Sequence, residues 1–199
     1  MKSSWISCAG LEIWLLLALA LVAPISAKRK NPAAEDLTNF LLSPRYSQWL
    51  VGPISHLATE EEMETYLHLT IDEEAAAFIA SFWAERGGSS VIPGQGPRAI
   101  FDSRAAEADR LFGDGTNKGH RTDRGTVYVL YGEPVEIRFD PAPKGRGEYV
   151  ETWEYDSDTG KGLDGKEPDR IYRFVNKDGQ TVLYRGPLTR QVPRTGIRQ

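Results

Sequence analysis

Within one short stretch, Gly119-His120-Arg121-Thr122-Asp123-Arg124-Gly125, the chain gathers the side chains best able to do chemistry. Asp123 could act as acid, base or hydrogen-bond acceptor. Arg121 and Arg124 could clamp an anion, and His120 could move protons near neutral pH. On that reading His120 and Asp123 are the candidate catalytic groups, and Arg121, Thr122, Asp123 and Arg124 are the candidate binding groups. The same residues also admit a structural reading. Thr122 and Asp123 can bond nearby backbone N–H groups in an Asx-type turn, with both arginines salt-bridged to helix acids. The surrounding sequence favours the structural reading.

Other sources of chemistry are few. Asp123 and Glu133 would stand at the two ends of a strand, roughly 20 Å apart, too far for a glycosidase pair. His56, His68 and His120 lack metal-ligand spacing, so no metal or cofactor is expected. There is no Gly-x-Ser-x-Gly elbow. The glycines of the 87–97 loop follow no predicted strand, which excludes a phosphate-binding signature. The net charge of −4 argues against nucleic acid as a partner. Charge is nevertheless uneven: seven acids and no Lys or Arg lie between Thr59 and Ala77, and four arginines but no acid follow Asp178. Solvated helix starts and a basic tail over 186–199 account for that distribution.

The elements that position the stretch are read from periodicity. Residues 1–27 resemble a secretory signal. Lys2 gives a positive start, Ile13–Ala23 is an apolar run, and Ser26-Ala27 forms a small-residue exit. Glu12 and Lys28-Arg29-Lys30 favour the rival reading, an uncleaved anchor, which would be the chain's one membrane contact. The sole cysteine, Cys8, lies in this leader, so a processed chain would carry no thiol. Together these features predict an exported protein, periplasmic or extracellular.

Residues 28–48 read as a lead-in, with short turns and extended chain over 37–57 packing onto the domain. Thr59-Glu60-Glu61-Glu62 has capping-box spacing and predicts a helix through Leu67. Thr70-Ile71-Asp72-Glu73 repeats the signal ahead of a helix to about Arg86, whose stripe is Ile71, Ala75, Phe78, Ile79, Phe82 and Trp83. A third helix, about 100–111, shows Phe101, Ala105, Ala108, Leu111 and Phe112 on one face. Thr126–Tyr131 is apolar on both alternate faces and predicts a central strand. Val135, Ile137 and Phe139 alternate with charges, as in a half-exposed strand. Glu148–Tyr155 is a further strand, and Asn176-Lys177-Asp178-Gly179 predicts a hairpin turn with Gly179 at positive φ. The expected fold is α+β, with N-terminal helices packed on a mostly antiparallel sheet of four or five strands.

These residues carry a family resemblance. Phe82-Trp83-Ala84-Glu85-Arg86, Leu111-Phe112, Gly119–Gly125, Tyr128–Pro134 and Glu151-Thr152-Trp153-Glu154-Tyr155, in that order, resemble the GWxTD-domain family over residues 49–185. The resemblance implies an exported bacterial cell-envelope protein with no assigned reaction. There are two departures: His120 stands at the position of the naming Trp, and Gly87-Gly88 stands where Asp-Pro commonly follows the Arg. If that Trp is a binding platform in relatives, this chain has altered or lost it. The second half is also similar to small outer-membrane assembly modules. The expected role is a non-enzymatic binding or scaffold module for a protein or envelope polymer, using the Gly119–Gly125 region. The alternatives are a hydrolase centred on Asp123 with Arg121 and Arg124 in support, and an outer-membrane assembly factor.

Overall fold

The computed structural model describes residues 32–87, 94–115, 117–142, 149–177 and 179–184. The predicted leader (1–27) and basic tail (186–199) lie outside these residues. Among the described residues five α-helices precede four strands: α1 (Ile54–Leu57), α2 (Glu60–Leu67), α3 (Asp72–Arg86), α4 (Pro97–Phe112), α5 (Asp123–Tyr131), then β1 (Glu136–Pro141), β2 (Tyr149–Glu154), β3 (Ile171–Lys177) and β4 (Gln180–Leu183). The strands form one antiparallel meander in the order β1-β2-β3-β4, so the fold is α+β.

The first three helices build a core of their own. Thr59 starts α2 with the full capping box: its side chain accepts from Glu62 N–H while Glu62 accepts from Thr59 N–H. Glu62 also receives both terminal nitrogens of Arg86, at 2.9 and 2.8 Å. Arg86 ties three elements together by donating to Phe82 O and Leu57 O as well. The second expected cap is not made. Ile71 is the N-cap of α3, and Asp72 in its first turn accepts instead from Ser43 N–H at 2.9 Å. That bond holds the lead-in against α3, and Thr70 contributes no cap.

Trp49 sits among Tyr66, Phe82 and Phe78, with ring centroids 4.8, 5.0 and 5.9 Å away. Leu37, Leu42, Leu50, Ile54, Ala75, Phe82 and Trp83 are buried around it. Each large side chain so buried contributes about 1.5–3 kcal/mol. Ile71, expected on the stripe, is half-exposed at the helix start. Asn39, also buried, donates to Tyr66 O and Leu69 O and accepts from Leu41 N–H. It adds a side-chain donor to carbonyls at and just beyond the C-terminus of α2.

A second core lies between α4, α5 and the sheet: Ala108, Phe112, Val127, Val129, Trp153, Tyr155 and Phe174. Phe101 of α4 borders both cores. Ile100, missing from the predicted stripe, is buried, whereas Leu111 is exposed.

Two expectations need correction. Residues Thr126–Tyr131 are not a strand but most of helix α5. Their β-branched and aromatic character reflects burial on nearly every side, with Val127, Val129 and Leu130 all buried. The second concerns β1, which is exposed at all six positions rather than on one face. It is the outer strand, and the α4–α5 core includes residues of β2, β3 and β4 but none of β1. The hairpin forms as the sequence predicts, with Lys177 paired to Gln180 and Gly179 at φ +79°.

Candidate functional site

Residues Gly119–Arg121 form a single 3-10 turn that leads into α5. Thr122 is the N-cap. Its hydroxyl accepts from Gly125 N–H at 3.1 Å and donates to Gly119 O at 2.7 Å. Two glycines let the turn lie flat on its neighbours. A Cβ at Gly119 would stand 1.9 Å from the carbonyl oxygen of Ala108 in α4, and one at Gly125 would stand 1.9 Å from the carbonyl oxygen of Gly119. Ala108, Gly119 and Gly125 therefore stack backbone on backbone, and no larger residue fits at either glycine. Gly132, at φ +86°, ends α5, and its N–H bonds Tyr128 O.

The chemically capable side chains leave this turn in different directions. His120 is mostly buried and belongs to Asp109 of α4. Its backbone N–H donates to Asp109 Oδ1 at 2.9 Å, and its Nδ1 lies 2.7 Å from the same oxygen. Burial pushes the imidazole below its usual pKa, outweighing the upward pull of Asp109. For Asp109, burial pushes upward, but the two bonds from His120 outweigh it and the carboxyl is held below its ordinary range. Both directions fit a neutral imidazole donating from Nδ1 to an ionised carboxylate. Among the described residues the hydrogen-bond partner of this imidazole is Asp109, and no hydroxyl or thiol is bonded to it.

Arg121 reaches back to the lead-in and donates to Gln48 Oε1 at 2.5 Å. Arg124 points into the sheet, where it bonds Glu151 Oε2 at 3.0 Å and lies over Phe112 with its guanidinium carbon 5.2 Å from the ring centroid. Glu151 is buried on β2, and its other oxygen accepts from Trp153 Nε1 at 2.8 Å. The Nε of each arginine is buried without a partner among the described residues. Among the described residues neither arginine makes an ion pair with a helix acid, which corrects that part of the structural reading. Asp123 is exposed and its carboxylate accepts from Leu183 N–H of β4 at 2.5 Å. Thr122, not Asp123, makes the local turn bond. Because α5 is a helix, the strand-length spacing assigned to Asp123 and Glu133 also falls.

Three partners escaped the sequence reading: Asp109, Gln48 and Glu151. Only Glu151 had a signal. It shares a strand face with Tyr149, Trp153 and Tyr155, and an acid on an inward face requires a buried partner. Arg104 was also missed. It donates from α4 to Val129 O and Leu130 O in the last turn of α5, and its burial lowers its pKa. Next to it, Tyr131, Tyr155 and Tyr172 pack ring against ring, with Tyr131 bonded to Asp164 and Tyr155 to Gly132 O. Burial raises the pKa of all three phenols. Among the described residues no group of three His, Cys, Asp or Glu side chains could hold a metal ion. Within the same residues no helix is long and apolar enough to cross a membrane.

Taken together, the arrangement is a clasp. One turn and one helix start fix α4, the lead-in, β2 and β4 relative to one another. Neither the curated proteins nor the solved structures contain a match to this chain. The GWxTD domain matches residues 38–183, a span that takes in the clasp, the whole sheet and both cores apart from Leu37. The chain belongs to the GWxTD-domain family.

Proposed function

We propose that this chain is an exported, non-enzymatic module of a bacterial cell envelope that binds or scaffolds a protein or envelope polymer. In this reading the Gly119–Gly125 region holds the binding surface in shape rather than performing a reaction. One observation carries it: Arg121, Thr122, Asp123 and Arg124 are bonded to Gln48, Gly125, Leu183 and Glu151 of their own fold. A hydrolase centred on Asp123 would need Arg121 and Arg124 to converge on it, and they leave in other directions. Export is supported by the apolar Ile13–Ala23 run and the Ser26-Ala27 exit.

The test of the clasp is a paired melt. Asp123→Ala removes the acceptor for Leu183 N–H and is expected to cost about 0.5–1.5 kcal/mol, whereas Asp123→Asn retains a carbonyl oxygen and most of the stability. Both variants melting at or above wild type would mark Asp123 as a functional acid and sink the scaffold reading. Intact mass of the native protein tests export, with a chain beginning at Lys28 expected. A retained Met1 in the membrane fraction would replace secretion with anchoring.

A further inference from the structure

The outer strand carries a feature that the clasp does not explain. Val135, Ile137 and Phe139 are 66, 44 and 65 % exposed. Ile137 and Phe139 lie on the sheet face that β2 turns toward the helices, Ile137 opposite the buried Trp153, and Val135 stands just before the strand with its N–H bonded to Glu154 O. Glu136, Arg138 and Asp140 occupy the other face. Arg138 is bonded to Glu154 and lies 3.6 Å from Glu136. One edge of β1 pairs with β2, and the other pairs with none of the described strands.

Edge strands are usually guarded by charges that repel a second strand. Here the order of charges does the reverse. Read outward from Ile137, the segment Val135-Glu136-Ile137-Arg138-Phe139 is apolar, charged, apolar in both directions, with an acid on one side and a base on the other. We propose that this edge pairs antiparallel with the same edge of a second copy, about a two-fold axis through Ile137.

In that register Ile137 faces its own counterpart, and Val135 faces Phe139 of the second copy. Glu136 then faces Arg138 of the second copy, and the reverse, so both charge pairs are complementary. Sliding by two residues keeps the faces aligned but sets like against like. One direction opposes the two Arg138 side chains and puts Glu136 against Asp140; the other opposes the two Glu136 side chains. Pro134 and Pro141, which lack the N–H a ladder needs, bound the paired segment. The contact is isologous, so it closes at two copies instead of growing into a fibre.

The test uses the full chain in mild detergent with Cys8→Ser, which removes the one native thiol. Directly opposed residues of an antiparallel pair stand about 4.5–5.5 Å apart at Cα, within reach of a disulfide. Ile137→Cys should therefore give a covalent dimer under a mild copper oxidant. Val135→Cys and Phe139→Cys should each fail alone, since like positions would be roughly 13 Å apart, but should cross-link when mixed. In the Ile137→Cys chain, Glu136→Arg and Arg138→Glu should each cut the cross-linked fraction roughly fivefold or more, and mixing the two variants should restore it. Association through the leader would show neither register selectivity nor charge rescue. The proposal is overturned by no cross-link at 137, by equal cross-linking at all three positions, or by a 137 cross-link that survives both charge reversals.

Discussion

Replacing Arg124 by Met separates a clasp from a ligand site. Met keeps the apolar stem over Phe112 but removes the guanidinium that bonds Glu151 at 3.0 Å. Glu151 has a side chain only 4 % exposed, so its carboxylate would be left buried with the Trp153 indole N–H as its remaining side-chain donor among the described residues. Removing one partner of a buried pair costs about 3–5 kcal/mol. The Arg124 side chain is 21 % exposed, so water can replace part of its bond, and the lower end of that range applies. A loss of about 3 kcal/mol in a domain of this size lowers the Tm by about 6–12 °C.

A second substitution isolates the pair. Glu151→Gln added to Arg124→Met removes the stranded charge while leaving a carbonyl oxygen for Trp153 Nε1. The double variant should therefore melt above Arg124→Met, with a coupling of about 1 kcal/mol or more. Thermal melts followed by tryptophan fluorescence and by far-ultraviolet circular dichroism are sufficient. An Arg124→Met chain that melts within about 2 °C of wild type would refute the clasp. It would return Arg124 to the candidate binding groups.

The glycine stack predicts that Gly119→Ala and Gly125→Ala each lose about 3 kcal/mol, because the added methyl meets a backbone carbonyl rather than a movable side chain; denaturant midpoints would show it. Gly179→Ala should cost about 1 kcal/mol or more, since alanine resists the +79° φ of the hairpin, and an unchanged melt would mean the turn is not strained. For His120 the folded-state pKa is lowered, chiefly by burial, so the unfolded chain takes up the proton first. Stability should be complete above a pH of about 6.5 and decline as the pH falls below it toward the folded pKa. His120→Gln should flatten that decline between pH 7 and 5.5, and an unchanged slope would assign the proton elsewhere.

The elements legible in the sequence are those whose determinants lie within a few residues. The Thr59 and Glu62 capping box and Gly179 in the hairpin each act on backbone groups a few positions away. The burial stripe of α3 is a property of one helix face. Helix α5 was misread because its residues carry two opposed signals. Thr126-Val127-Tyr128-Val129 has strand-like side chains, yet Thr122 and Asp123 before it, and Gly132 and Pro134 after it, are helix start and stop signals. Burial against both α4 and the sheet leaves the stretch 126–131 apolar throughout, so that stretch taken alone shows no polar face to mark a helix.

The site was even less legible. His120, Arg121, Asp123 and Arg124 are neighbours in sequence, and their proximity suggested convergence on one ligand. A 3-10 turn running into a helix start instead sends successive side chains outward at different angles, toward Asp109, Gln48, Leu183 and Glu151. Those partners lie 11, 73, 60 and 27 residues away, and no local pattern encodes such pairings. The sequence by itself determined which residues carry charge and where the chain caps and turns. Tertiary packing decided which of those charges meet, because an ion pair depends on distance in space and chain order does not set that distance.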